Sequence, residues 1–192
     1  MELTRDEDRF IKLEERPRQA LSSGADLFLS IHVNAEPGGG TTARGFETYY
    51  LGPKRDDESA RVARLENSVL ELEGEDAGFG GDTPIDFIIS GLVRDDNRGT
   101  SGKLGGYVQN SMRGVTAGPD RGTKPGPFWV LVGATGHMPA VLVELGFITN
   151  PEDERQLTNK NFQKQLATAL ADAVERYFQF YDEAQFRLGG AR

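Results

Sequence analysis

A chain of 192 residues with 37% hydrophobic content is long enough to bury one substantial core, and a single folded domain is expected. Its formal net charge of -8 argues against nucleic-acid binding, which needs clustered Lys and Arg, and speaks mainly for solubility. With no cysteine, disulfide frameworks, thiol nucleophiles and thiolate-held zinc are excluded, so any metal must be held by His, Asp or Glu.

The opening Met1-Glu2-Leu3-Thr4-Arg5-Asp6 is charged and unlike a signal peptide, and no later apolar run approaches the roughly 20 residues of a membrane span. Phe10, Leu13, Pro17, Ala20 and Leu21 recur at helical spacing, and Gly24 suits the position just past a helix end. Pro17 must kink that helix or delay its start. Residues 27–33 begin apolar on both faces, as in a covered strand, and alternation sets Ser30, His32 and Asn34 on one face opposite Leu29, Ile31 and Val33. A glycine-rich loop, Gly38 to Gly40, then leads into a second strand over 45–51, rich in aromatic and β-branched residues.

A polar helix is expected from about Glu58 to Leu72, passing into a short acidic, glycine-bearing loop across 71–82. Apolar positions between Ile85 and Met112 fit a broken pair of helices, interrupted at Gly99 and Gly102. The apolar runs 128–132 and 141–143 are each short enough for a buried strand. Asn150 can cap a brief helix whose first residue is Pro151 and whose first turn carries Glu152, Asp153 and Glu154. The stripe Phe162, Leu166, Ala169, Leu170, Ala173, Tyr177 and Phe178 lays a final helix along the sheet, with residues 182–192 as a tail beyond a domain of 1–181. Strands alternating with helices indicate an α/β fold with a mainly parallel sheet, in which sites form at the C-terminal strand ends.

Two residues stand at such ends. His32 closes the 27–33 strand, and imidazole is a good zinc ligand; taken alone, a strand-end histidine is more often a hydrogen-bonded core residue, since catalytic zinc needs three protein ligands. Glu144 follows Ala140-Val141-Leu142-Val143 and precedes Leu145-Gly146-Phe147, an apolar frame in which a lone carboxylate would take up a proton. It needs a cation, a metal-bound water or a route to solvent. On neighbouring parallel strands His32 and Glu144 would share one rim, where zinc-bound water and a carboxylate base make a hydrolytic unit. His137, in a glycine-bearing loop, matches no ligand spacing and reads as an exposed loop residue. Arg121, in Asp120-Arg121-Gly122-Thr123-Lys124, can hold a substrate carboxylate bidentately or lie in an ordinary charged turn.

Ser30-Ile31-His32-Val33-Asn34-Ala35 resembles the Ser-Ile-His-x-Asn signature of the zinc-dependent N-acetylmuramoyl-L-alanine amidases, and Val143 through Asn150 resembles their second signature. Further similarity follows in the family's order at Leu3-Thr4-Arg5-Asp6, Arg44-Gly45-Phe46-Glu47, residues 120–124, Met138-Pro139-Ala140 and the last helix. The resemblance covers nearly the whole chain. It implies a mixed, mainly parallel central sheet flanked by helices on both faces, similar to zinc carboxypeptidases, and cleavage of the amide bond between N-acetylmuramic acid and L-alanine in peptidoglycan. His32 is then a zinc ligand and Glu144 the general base on zinc-activated water, with Asn34 and Arg121 as expected substrate contacts. The family's remaining two ligands, a His and a Glu, come from a strand and helix preceding the Leu3–Asp6 match, so the chain is expected to begin after them. The implied location is the periplasm or the cell wall outside the cell. In some division-associated members an inserted helix blocks the zinc until an activator protein moves it, and the short acidic, glycine-rich insertion around 71–82 raises such gating as a hypothesis. Two other readings stand beside this one: an inactive wall-binding or regulatory remnant, and a zinc carboxypeptidase-like exopeptidase.

Overall fold

A computed structural model describes residues 1–72 and 95–189 of the chain. The expected acidic loop from residue 73 onward, and with it most of the expected gate, lies outside these residues, as does the start of the helical pair expected from Ile85. The first helix, α1 (Glu15–Ser22), begins later than the apolar periodicity alone suggests. Pro17 thereby falls in the first turn, where its missing N–H has no intrahelical partner to lose. Strands β1 (Phe28–Asn34) and β2 (Phe46–Leu51) follow, then α2 (Asp57–Asn67) and the short α3 (Val69–Leu72). After the gap come α4 (Asp95–Arg113), β3 (Asp120–Gly126), α5 (Trp129–Thr135), β4 (Ala140–Phe147), α6 (Pro151–Leu157) and α7 (Lys160–Gly189).

The strands form one sheet in the order β1-β4-β2-β3. Phe28 N–H donates to Pro139 at one end of the β1/β4 pair and Ile148 N–H to Asn34 at the other, so these strands run parallel. The Phe46-to-Pro119 and Gly52-to-Gly126 bonds make β2 and β3 parallel in the same way. One carboxylate oxygen of Asp153 accepts both Phe147 N–H and Gly45 N–H, which sets the end of β4 beside the start of β2 and makes that pair antiparallel. The sheet is mixed and mostly parallel. Neighbouring residues of β2 face opposite ways: Tyr49 and Leu51 join Val62 and Ala63 of α2 in one apolar cluster, while Thr48 Oγ1 donates to Gln109 of α4.

Two expectations are corrected. Residues 128–132 are not a strand: Phe128 precedes α5, and Asn67 Oδ1 accepts Trp129 N–H, one of the donors that a helix start leaves without an internal partner. A run buried on all sides has no polar beat to separate a period of 2 from one of 3.6. The strand lies just upstream, in the polar stretch Asp120–Gly126, for part of which an ordinary charged turn was one of two readings.

Packing divides the chain into two compact units. The first, residues 1–31, 49–102 and 124–143, is built on Leu13, Phe28, Tyr49, Val62, Leu131 and Leu142 among others, with the Tyr49 and Phe128 rings 4.7 Å apart. Each such aromatic or branched side chain taken from water contributes about 2 kcal/mol. The second, residues 32–48, 103–123 and 144–192, buries Phe46, Leu104, Val108, Met112, Phe147, Leu166, Leu170 and Tyr177. No helix of the described residues is long and apolar enough to cross a membrane.

Candidate metal and catalytic site

The alternation expected for β1 is present: Phe28, Ser30 and Asn34 are buried, Ile31 and Val33 are exposed, and His32 lies half-buried on the inward face. Parallel pairing with β4 brings His32 level with Glu144, whose carboxylate is 0% exposed. One ligand atom of His32 and one of Glu144 lie within 4.8 Å of each other. Sequence reasoning had set His32 and Glu144 at one rim of the sheet. His137 is exposed after α5 and belongs to no such set among the described residues.

Asn34, two residues past His32, is 1% exposed. Its Oδ1 accepts Ala35 N–H at 2.8 Å and its Nδ2 donates to Glu47 at 3.1 Å, so both ends of the amide are engaged inside the protein. Glu47 is itself 0% exposed, and its second oxygen receives Arg121 Nε at 3.3 Å. The Arg121 guanidinium lies over the Phe147 ring at 5.2 Å and donates to the Arg44 carbonyl, with 22% of its side chain exposed. Lys124, the other cation of that segment, pairs instead with Glu58 at 3.3 Å. Asn34 and Arg121 therefore meet on one carboxylate that sequence reasoning had not singled out.

A second bonded set fastens the loop after His32 to the segment after Glu144. Glu36 N–H donates to Thr149 Oγ1, Asn150 Nδ2 donates to the Thr41 carbonyl, and Arg44 pairs with Glu152. Gly45 has φ +95°, and a Cβ there would stand 2.1 Å from the Pro119 carbonyl oxygen, so only glycine lets β2 start this close to its neighbours.

A family model described as N-acetylmuramoyl-L-alanine amidase matches residues 1–176. This chain belongs to that family. AmiA of Escherichia coli K12, an N-acetylmuramoyl-L-alanine amidase, is 36% identical to it over 183 residues, 94% of this chain and 61% of AmiA. AmiC of Neisseria meningitidis is 29% identical over 91% of this chain and 41% of its own length. The chain thus spans about three fifths of AmiA and less of AmiC. Among solved structures, the N-acetylmuramoyl-L-alanine amidase of Clostridium difficile 630 superposes with a TM-score of 0.62 at 26% identity, over 92% of this amidase-family chain and 70% of that one. AmiC2 of Nostoc punctiforme gives 0.61, also at 26% identity, over 92% and 71%.

The donor set suits a divalent cation. It offers one imidazole nitrogen and a carboxylate with no thiolate, and that carboxylate, Glu144, is closed off from solvent, where an ionised group calls for a compensating positive charge.

Proposed function

We propose that this chain provides residues of a peptidoglycan hydrolase centre that cleaves the amide bond between N-acetylmuramic acid and L-alanine of the stem peptide. The observation that carries the reading is the meeting of His32 and Glu144 at one rim of the sheet. Zinc is the cation that a histidine in such a setting most often holds, with His32 as one of its ligands. When bound it would supply Lewis acidity to the reacting carbonyl.

The protein's own residues then divide the work. His32 donates a ring nitrogen from a strand end that pairing with β4 holds still. Glu144 accepts a proton from the water as its oxygen bonds to the amide carbonyl carbon, and returns it to the amine nitrogen as the C–N bond breaks. Its burial keeps bulk water from competing for that proton. Acting on wall polymer, the protein would work in the periplasm or outside the cell.

The test is muropeptide release together with metal content. Glu144→Gln keeps the shape and a carbonyl oxygen but cannot take the proton, so metal content should hold while turnover falls at least about a hundredfold. Turnover within tenfold of the unsubstituted protein would remove Glu144 from the reaction.

A further inference from the structure

Glu47 is a fully buried carboxylate that the proposed hydrolysis does not use. It lies on β2, and its two oxygens are held from opposite sides, by Asn34 of β1 and by Arg121 of β3. Strands β1 and β2 are not neighbours in the sheet, so Asn34 and Glu47 reach past β4, the strand that carries Glu144. One anion therefore ties the strand end two residues beyond His32 to a guanidinium seated on Phe147, three residues beyond Glu144. Three residues of strand span about 10 Å, a distance that an extended peptide of a few residues covers.

A guanidinium held at its Nε edge, flat on a ring and still 22% exposed, can meet another planar anion, because its five donors fan out in one plane. Without a fixed partner, the long side chain would sample many rotamers and give up most of that geometric advantage. We propose that Glu47 is a positioning residue that aims Arg121 at a carboxylate of the stem peptide, so that the protein distinguishes stems with free carboxylates from amidated ones. The proposal rests on the amidase reading for the identity of the ligand, but its test needs no turnover.

The probes are N-acetylmuramoyl-L-alanyl-D-glutamate with its carboxylates free and the same molecule with both amidated, each titrated into the full chain by calorimetry. The free acid should bind at least about tenfold more tightly, as charge-assisted pairing to arginine predicts. Glu47→Gln, nearly isosteric, should bring that ratio below about threefold while the circular dichroism spectrum is unchanged, and Glu47→Asp should restore part of it. A purely structural role would weaken both peptides equally and leave the ratio intact, which overturns the proposal. Equal binding of the two peptides by the unsubstituted protein overturns it as well. Should Glu47→Gln fail to fold, Arg121→Lys keeps the charge beside Glu47 and removes only the planar fork; the ratio should fall below about threefold there too, and a retained ratio again overturns the proposal. Preserved discrimination without hydrolysis would sink the reaction reading and leave this one standing.

Discussion

Asp120 should make stability depend on pH, and its contacts say in which direction. Burial works against its charge, yet the Arg113 guanidinium, the Gly122 N–H and the Gln109 amide together hold its carboxyl below the ordinary carboxylate range. Asp56 is lowered as well, chiefly by the Ser59 N–H that it caps. A depressed folded pKa means that the native state binds fewer protons than the unfolded chain. The stabilisation is then complete above the unfolded value of about 3.9 and drains away as pH falls through the lower folded values. Urea midpoints should therefore hold steady from pH 7 to about 5 and decline toward pH 3. Asp120→Asn should flatten that decline, and an unchanged pH profile would show that the bonds of Asp120 add nothing to stability.

At the scale of elements, α6 depends on its cap. Asn150 Oδ1 accepts the Glu152 and Asp153 N–H groups, and its Nδ2 holds the Thr41 carbonyl, so the same amide starts the helix and fastens the loop after His32. Asn150→Ala should cost about 1 to 2 kcal/mol, the upper end of the usual capping loss, measured from denaturant midpoints. Asn150→Asp, which keeps the acceptor but not the donor, should cost less. This helix was legible in the sequence because its signals are local: a capping amide, proline at the first position and acids in the first turn.

β1 and its faces were legible for a similar reason, since Ser30, His32 and Asn34 alternate cleanly with Leu29, Ile31 and Val33. The misread elements lacked local signals. Phe128 to Val132 is apolar throughout, and what makes it the start of a helix is an amide from Asn67, some sixty residues upstream. Asp120 to Gly126 is polar and contains a proline, and it becomes a strand because β2 supplies parallel hydrogen bonds along it. The site followed the same rule. His32 and Glu144 stood out as polar residues in apolar strands, whereas Glu47 takes its meaning from partners far along the chain.

For the molecule as a whole, metal binding and folding should be linked. The His32 imidazole and the Glu144 carboxylate come together only through the pairing of β1 with β4, so a cation that His32 holds there favours the native state. At a free zinc concentration a hundred times its dissociation constant, the gain is about 2.7 kcal/mol, or roughly 5 to 10 °C in Tm for a chain of this size. Scanning calorimetry with zinc and after chelation should show that shift, and His32→Ala should abolish most of it. An equal shift in the variant would mean that the cation binds elsewhere.

Among the described residues β1 is an outermost strand, and its outward side chains Ile31 and Val33 are 54% and 42% exposed. A greasy ribbon with a bare hydrogen-bonding margin invites another strand to lie down beside it, whether from the same polypeptide or a stranger. The His32 imidazole therefore sits one residue from an exposed apolar margin. Crowded preparations of this protein should clump first along that border, with the histidine caught inside the seam.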